Sequence, residues 1–307
     1  MPNLLSAAQI RQYQEQGYCH PFDVLTQDEA AGHLARLEAY EATSGGRIDG
    51  MYRHKPHLLF PWLHDLVNHP KVLDRGEDLL GPNILCWGSS FFNKDAGTPA
   101  YVSWHQDANY WGLDRHDVCT AWIACTPSNP LNGCMRVIPG TQHVSLKHTD
   151  TFHKHNLLSR GQEIDVEVDE AQAVDLELLP GQMSLHHVGV AHGSNPNRSG
   201  KRRVGFAIRY IASDVRQTLG PRDFATLVRG QAPHDYWELE PIPKAELDPE
   251  AVAYHASVCE IQGKMLFSGA DIKPFQPRAG RCAQGVTPVC RNQPVNQNND
   301  GHADRRD

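Results

Sequence analysis

The chain has 307 residues, 21% of them charged and 40% hydrophobic, and 29 basic against 36 acidic side chains give a formal net charge of -7. A mildly acidic balance argues against nucleic acid or an anionic membrane as partner, and neither an apolar run of spanning length nor a basic-then-apolar opening is present, so no membrane segment or signal peptide is expected. The 8 cysteines contain no C-x-x-C pair, which excludes a cysteine-type zinc site and a dense disulfide framework and leaves most of them as small buried apolar side chains of a soluble, cytoplasmic protein.

Taken in chain order, Ser6 and Gln9 have capping-box spacing and Gly17 supplies a stop, so a first helix is predicted between them. Thr26 with Glu29 opens a second helix, in which Ala30, Leu34, Leu37 and Tyr40 are spaced for one buried face. Met51, Tyr52, Arg53, His54, Lys55 and His57 form a basic, histidine-bearing cluster, and a third helix is expected over 68–80, ahead of the Gly81-Pro82 break. The texture then changes. Short apolar runs at 84–92, 118–126, 135–138 and 204–211 are separated by turn residues such as Asn132-Gly133, Pro139-Gly140, Pro180-Gly181 and Asn195-Pro196. Many short strands with regular turns favour a sandwich or barrel over a parallel α/β sheet. Residues 145–172 read as a long insertion covering one end of the β core, and 276–307 have too little apolar content to repay their ordering entropy. The expected organisation is one domain over 1–275 followed by a disordered tail at 276–307, with no internal repeat.

The residues that carry chemistry sit among these strands. His105, Gln106 and Asp107 form an H-x-D triplet. If the stretch is a strand, His105 and Asp107 project to one side and Gln106 to the other. His192 follows far downstream at a strand end, ahead of Gly193-Ser194-Asn195-Pro196. Two imidazoles and a carboxylate on one face of an octahedral ion leave the opposite face open, the ligand set of non-haem iron(II) oxygenases. His186 and His187 compete with His192 as core histidines, supporting groups or the ligand itself; His192 is preferred because Arg203 follows 11 residues later, the length of a turn and return. Arg203 opens the apolar run Val204–Ile208, and an inward-pointing arginine there needs a buried anion, which the C5 carboxylate of 2-oxoglutarate would provide. Arg209 is the alternative clamp. Tyr110 and Trp111, just past the triplet, are candidates either to line a substrate pocket or to pack the core. The block 132–143 reads as turn, strand and turn with a structural role. Pocket walls are expected from 50–65 and 145–160, whose basic character would suit a substrate bearing a carboxylate, phosphonate or phosphate, although solvated loops would read the same way.

The H-Q-D triplet, the block N-G-x-x-R-V-I-P-G-T-x-H at 132–143 and the stretch H-G-S-N-P-N-R-S-x-x-x-R at 192–203 resemble the phytanoyl-CoA dioxygenase family of iron(II)/2-oxoglutarate oxygenases. The resemblance covers roughly residues 5–275. It implies a mainly β protein with flanking helices, a double-stranded β-helix of the jelly-roll, cupin-like kind. It implies Fe(II) held by His105, Asp107 and His192, 2-oxoglutarate clamped by Arg203, a hydrogen bond to that co-substrate from Ser194 and a weaker candidate for the same task in Asn93. Trp111 matches an aromatic position near the metal in some members. Cys134-Met135 departs from the Gly-Pro or Gly-Ala common there, which affects packing. The implied activity consumes 2-oxoglutarate and O2 and hydroxylates an unactivated C–H bond of a small molecule; the substrate and the oligomeric state stay open. Related halogenases replace the carboxylate ligand with a small residue, and Asp107 argues against that outcome. A non-catalytic β-barrel binding protein and a divalent-metal hydrolase are the rival classes, disfavoured respectively by the intact triad and by the presence of Arg203.

Overall fold

The protein is described by a computed structural model covering residues 3–166 and 168–267; the stretch 276–307, expected to be disordered, lies outside the described residues. Both capping boxes form. Ser6 caps α1 (Ala7–Gln16), closed by Gly17 at φ 80, and after strand β1 (Tyr18–Asp23) Thr26 caps α2 (Gln27–Ser44). Ala30 and Leu37 are buried, and Leu34 and Tyr40 pack against the same core. The helix expected over 68–80 is preceded by another, giving α3 (Pro61–Val67) and α4 (Pro70–Leu80). A proline at the first position of each presets the helical φ and lacks the N–H that one continuous helix would need at residue 70.

Twelve strands follow the first among the described residues. They are β2 (Ile84–Phe91), β3 (Val102–His105), β4 (Val118–Ala124), β5 (Met135–Ile138), β6 (His148–Asp150) and β7 (Gln162–Ile164). Then come β8 (Val174–Leu176), β9 (Gln182–His187), β10 (Ala191–Ser194), β11 (Gly205–Ala212), β12 (Asp223–Arg229) and β13 (Trp237–Leu239). A short helix α5 (Ala108–Trp111) follows β3, and a long α6 (Pro249–Leu266) follows β13. The large sheet has the order β1-β9-β4-β11-β2-β12-β13 and the smaller one β3-β10-β5-β8. All pairings are antiparallel except β12 with β13.

Alternation along β4 explains how the layers stack. Cys119, Ala121 and Ile123 join the core shared with α1 to α4, whereas Trp122 and Ala124 join Met135, Val137 and Leu176 of the small sheet. Two facing sheets, antiparallel but for the β12–β13 edge, with helices backing one of them form the double-stranded β-helix that the family resemblance implies. The insertion at 145–172 is more ordered than a plain loop, because β6 and β7 pair within it. Among the described residues no helix is long and apolar enough to cross a membrane. Cys19, Cys86, Cys119, Cys125 and Cys134 are free and buried, as their spacing suggests.

Candidate active site

Strands β3 and β10 lie side by side with His105 opposite His192, and the two rings are 4.1 Å apart between centroids. Asp107 arrives by a route different from the expected strand alternation. The strand ends at His105, and Asp107 takes helical angles (φ -61, ψ -37) as the residue that starts α5. The backbone N–H of Ala108 donates to Val188 O at 3.0 Å, which fixes this turn beside β10. Asp107 Oδ1 then lies 3.3 Å from His105 Nε2, and Oδ2 lies 4.0 Å from His192 Nε2. One ligand atom from each of the three residues falls within 4.8 Å of the others. His186, on β9, has its ring 4.8 Å from that of His192 but stands outside this cluster. His187 points to the opposite face of β9, its ring 6.1 Å from that of Tyr13.

The tautomers follow from the backbone. His105 Nδ1 lies 2.9 Å from Ser103 O and His192 Nδ1 lies 3.0 Å from Val190 O. A carbonyl only accepts, so each Nδ1 carries the proton and each Nε2 presents a lone pair. Burial, reinforced by the neighbouring His105, pushes His192 down to about 4, so that its ring is neutral near pH 7. Two lone pairs and a carboxylate therefore face each other in a buried site, which is unfavourable unless a cation lies between them. The nitrogen and oxygen donor set fits a divalent transition metal.

Deeper in the same cavity, Arg203 is 2% exposed, with its guanidinium 5.3 Å from the centroid of the Trp122 ring. It donates to Gly133 O and, at 3.3 Å, to Phe92 O, while Nε has no partner among the described residues. Burial pushes its pKa down to about 10, so it remains charged at neutral pH. A buried cation that lines a cavity and keeps one donor unpartnered suits a carboxylate ligand. Ser194 lines the cavity beside it, at the end of β10.

Asn93 is half-buried and does not line the cavity; its neighbour Lys94, behind the cavity wall, is the one that bonds Ser194. Lys94 and Arg203 are bridged through both backbone bonds, with N···O distances of 2.9 and 2.8 Å, so their side chains share a side and alternation turns Asn93 away. Lys94 is fully buried and donates to Ser194 Oγ at 2.6 Å, to Gly133 O at 3.3 Å and to Asn195 O. Burial and the like charge of Arg203 push it down to about 6. Gly133 serves both side chains. At φ 70 it turns its carbonyl toward them, and a Cβ there would stand 2.0 Å from Asn195 O. The 132–143 block thus does more than shape the barrel.

The cavity encloses about 660 Å³. Tyr110 and Trp111 line it from α5, Met51, Arg53, His54 and Lys55 from one loop, and Leu157 to Ser159 from the 145–172 segment, as expected. His57 does not line it; its ring is buried between Ser89 Oγ at 2.7 Å and Thr226 Oγ1 at 3.2 Å. Helix α6, which no sequence signal announced as part of the site, supplies a further wall through Cys259, Gly263 and Leu266. Gln106 was expected only to point away from the metal. Its buried amide reaches Gly189 O at 2.6 Å and Val144 O at 2.7 Å, and accepts from Leu146 N at 2.9 Å, locking three turns around the triad.

A fold and a site of this kind define one class of protein, the iron(II)- and 2-oxoglutarate-dependent oxygenases. Within it, residues 13–205 match the family model "Phytanoyl-CoA dioxygenase (PhyH)", and the chain belongs to that family. The non-heme monooxygenase ThoJ, solved in its apo form, is 34% identical with a TM-score of 0.75, over 85% of this chain and 98% of that one. A probable alpha-ketoglutarate-dependent hypophosphite dioxygenase of Stutzerimonas stutzeri is 28% identical over 235 residues, 70% of this chain and 81% of that protein. Ectoine dioxygenase of Bordetella parapertussis is 24% identical over 249 residues, 71% and 78% of the two chains.

Proposed function

We propose that this enzyme hydroxylates an unactivated C–H bond of a small-molecule substrate, with His105, Asp107 and His192 holding Fe(II) and Arg203 holding the far carboxylate of 2-oxoglutarate. The observation that carries the reading is a pair of unmet needs in one cavity: three convergent ligand atoms without a proton between them, and a buried guanidinium without a carboxylate. A hydrolase would use the first and leave the second unexplained. When bound, the metal and 2-oxoglutarate supply the oxidising power, 2-oxoglutarate and O2 giving succinate and carbon dioxide as one oxygen atom passes to the substrate.

The chain's own residues do the positioning. Ser103 O and Val190 O orient the two imidazoles through their Nδ1 protons, and Asp107 completes the face of three. Trp122 and the Gly133 carbonyl hold Arg203 in a fixed pose, with Ser194 and Lys94 beside it rather than Asn93. Tyr110 and Trp111 form the wall against which a substrate would lie and exclude water from the reacting carbon. Asp107 as a carboxylate ligand leaves no vacant position for halide, which favours hydroxylation over halogenation.

The test is anaerobic titration of the metal-free protein with Fe(II) and then 2-oxoglutarate, reading the weak visible charge-transfer band. The band should require both components and vanish in Asp107→Ala and His192→Ala while surviving in His186→Ala. Succinate formation should fall more than roughly 100-fold in the first two variants. A folded, iron-loaded protein without the band would refute the co-substrate assignment, and a band lost in His186→Ala but kept in His192→Ala would refute the ligand assignment.

A further inference from the structure

Two more arginines enter the cavity, and neither the metal nor 2-oxoglutarate uses them. Arg53 ends the short helical turn Gly50–Arg53, and Arg209 stands in the middle of β11. Both guanidinium groups approach one ring, 5.8 and 5.6 Å from the centroid of Phe92, and Arg209 lies also 5.8 Å from that of Trp111. Their hydrogen bonds go to neutral acceptors: Arg53 Nη2 to Leu157 O at 3.0 Å, and Arg209 Nη1 to Ser90 Oγ at 2.8 Å. Among the described residues no carboxylate forms an ion pair with either.

The other charges on the cavity wall are accounted for. Lys55 pairs with Glu240 at 2.5 Å and Lys264 with Glu260 at 2.7 Å, Asp107 belongs to the metal, and Arg203 to the co-substrate. What remains is two guanidinium groups against the same aromatic ring, neither in an ion pair, an arrangement that costs free energy until an anion joins them.

The arm carrying Arg53 is held firmly. Lys55 has φ 46, in the left-handed region that side chains disfavour, yet its N–H donates to Ser89 O at 2.8 Å and its ammonium is tied to Glu240. His54 bridges to Ser90 on β2, and His255 of α6 donates from Nε2 to His54 O at 2.7 Å. Three elements thus hold a strained backbone in place, the pattern of a preorganised ligand contact.

We propose that Arg53 and Arg209 form a subsite for an oxyanion on the substrate, a carboxylate or a phosphonate or phosphate head. It grips one end of the molecule and lays the carbon skeleton along Phe92 and Trp111 toward the triad. Two planar guanidinium forks match the geometry of such groups. The inference rests on the oxygenase reading for which end of the substrate reacts; the subsite itself follows from charge.

The test uses methylphosphonate and propionate, with the uncharged dimethyl methylphosphonate and propionamide as controls. Each is titrated calorimetrically into protein saturated with Ni(II) and 2-oxoglutarate. One anion per chain should bind without displacing 2-oxoglutarate, and the neutral controls should not bind. Arg53→Gln and Arg209→Gln should each weaken binding roughly tenfold or more, with Arg209→Lys, which keeps the charge, weakening it less. Which probe binds more tightly identifies the oxyanion. The proposal falls if neither anion binds saturably, if binding survives both glutamine substitutions, or if the anion only competes with 2-oxoglutarate at Arg203. Failure of 2-oxoglutarate itself to bind would instead count against the oxygenase reading. The anion titration would then be made on metal-free Arg203→Gln, where the same outcomes decide.

Discussion

A histidine can ligate a metal only through the nitrogen that lacks the proton, and here that choice is made two residues upstream in both cases. His105 is oriented by the carbonyl of Ser103 and His192 by that of Val190, so one local device is used twice on adjacent strands. The H-x-D triplet and the distal histidine were therefore legible in the sequence, since each imposes its geometry locally. Lys94 and Gln106 were not. Their partners Ser194 and Gly189 lie 100 and 83 residues away, and only strand pairing brings them together. Lys94 carries a pH prediction. Its folded pKa of about 6 lies below the unfolded value of about 10.4, so between those limits the unfolded chain holds the extra proton and stability rises with pH. Lys94→Met should flatten this rise. Denaturant melts of both proteins at pH 6 and pH 9 measure it, and an unchanged difference between the two pH values would show that Lys94 stays charged when buried.

At the scale of elements, helix starts were readable because a cap is a contact within four residues. Thr26→Ala removes the hydroxyl that accepts from Glu29 N at 3.2 Å and should cost about 1 kcal/mol in a urea melt, with the 2-oxoglutarate band unchanged. Strands of three residues, such as β8 and β13, carry too little alternation to be distinguished from loops. Helix α6 carries a local start signal of the same kind. Asp248 accepts from the N–H groups of Glu250 and Ala251, and Pro249 occupies the first helical position. Asp107 shows the limit of periodicity in the other direction, because an H-x-D spacing suits a strand while the chain there has already turned into α5.

For the molecule as a whole, the two-sheet architecture was implied by many short strands and their turns, while the order in which they pair was not, because register depends on contacts between distant segments. His105 and His192 stand on strands already paired by backbone bonds and backed by a separate apolar core, with Asp107 on the turn just past β3, so the metal is not what holds the fold together. Removal of iron with a chelator should abolish turnover, leave the far-ultraviolet dichroism intact and lower the melting temperature by only about 5 °C, with recovery on adding Fe(II). Loss of the dichroism would mean that the metal is needed to join β3 to β10.

Helix α6 forms one wall of the cavity yet lies beyond residue 205, where the family match ends, and contributes none of the three metal ligands. Part of the cavity wall is therefore carried by a stretch of chain separate from the one that holds the triad. Substitutions confined to 256–267 should change which molecules fit while leaving the Fe(II) and 2-oxoglutarate band in place, a route by which such a wall could be altered apart from the centre it covers.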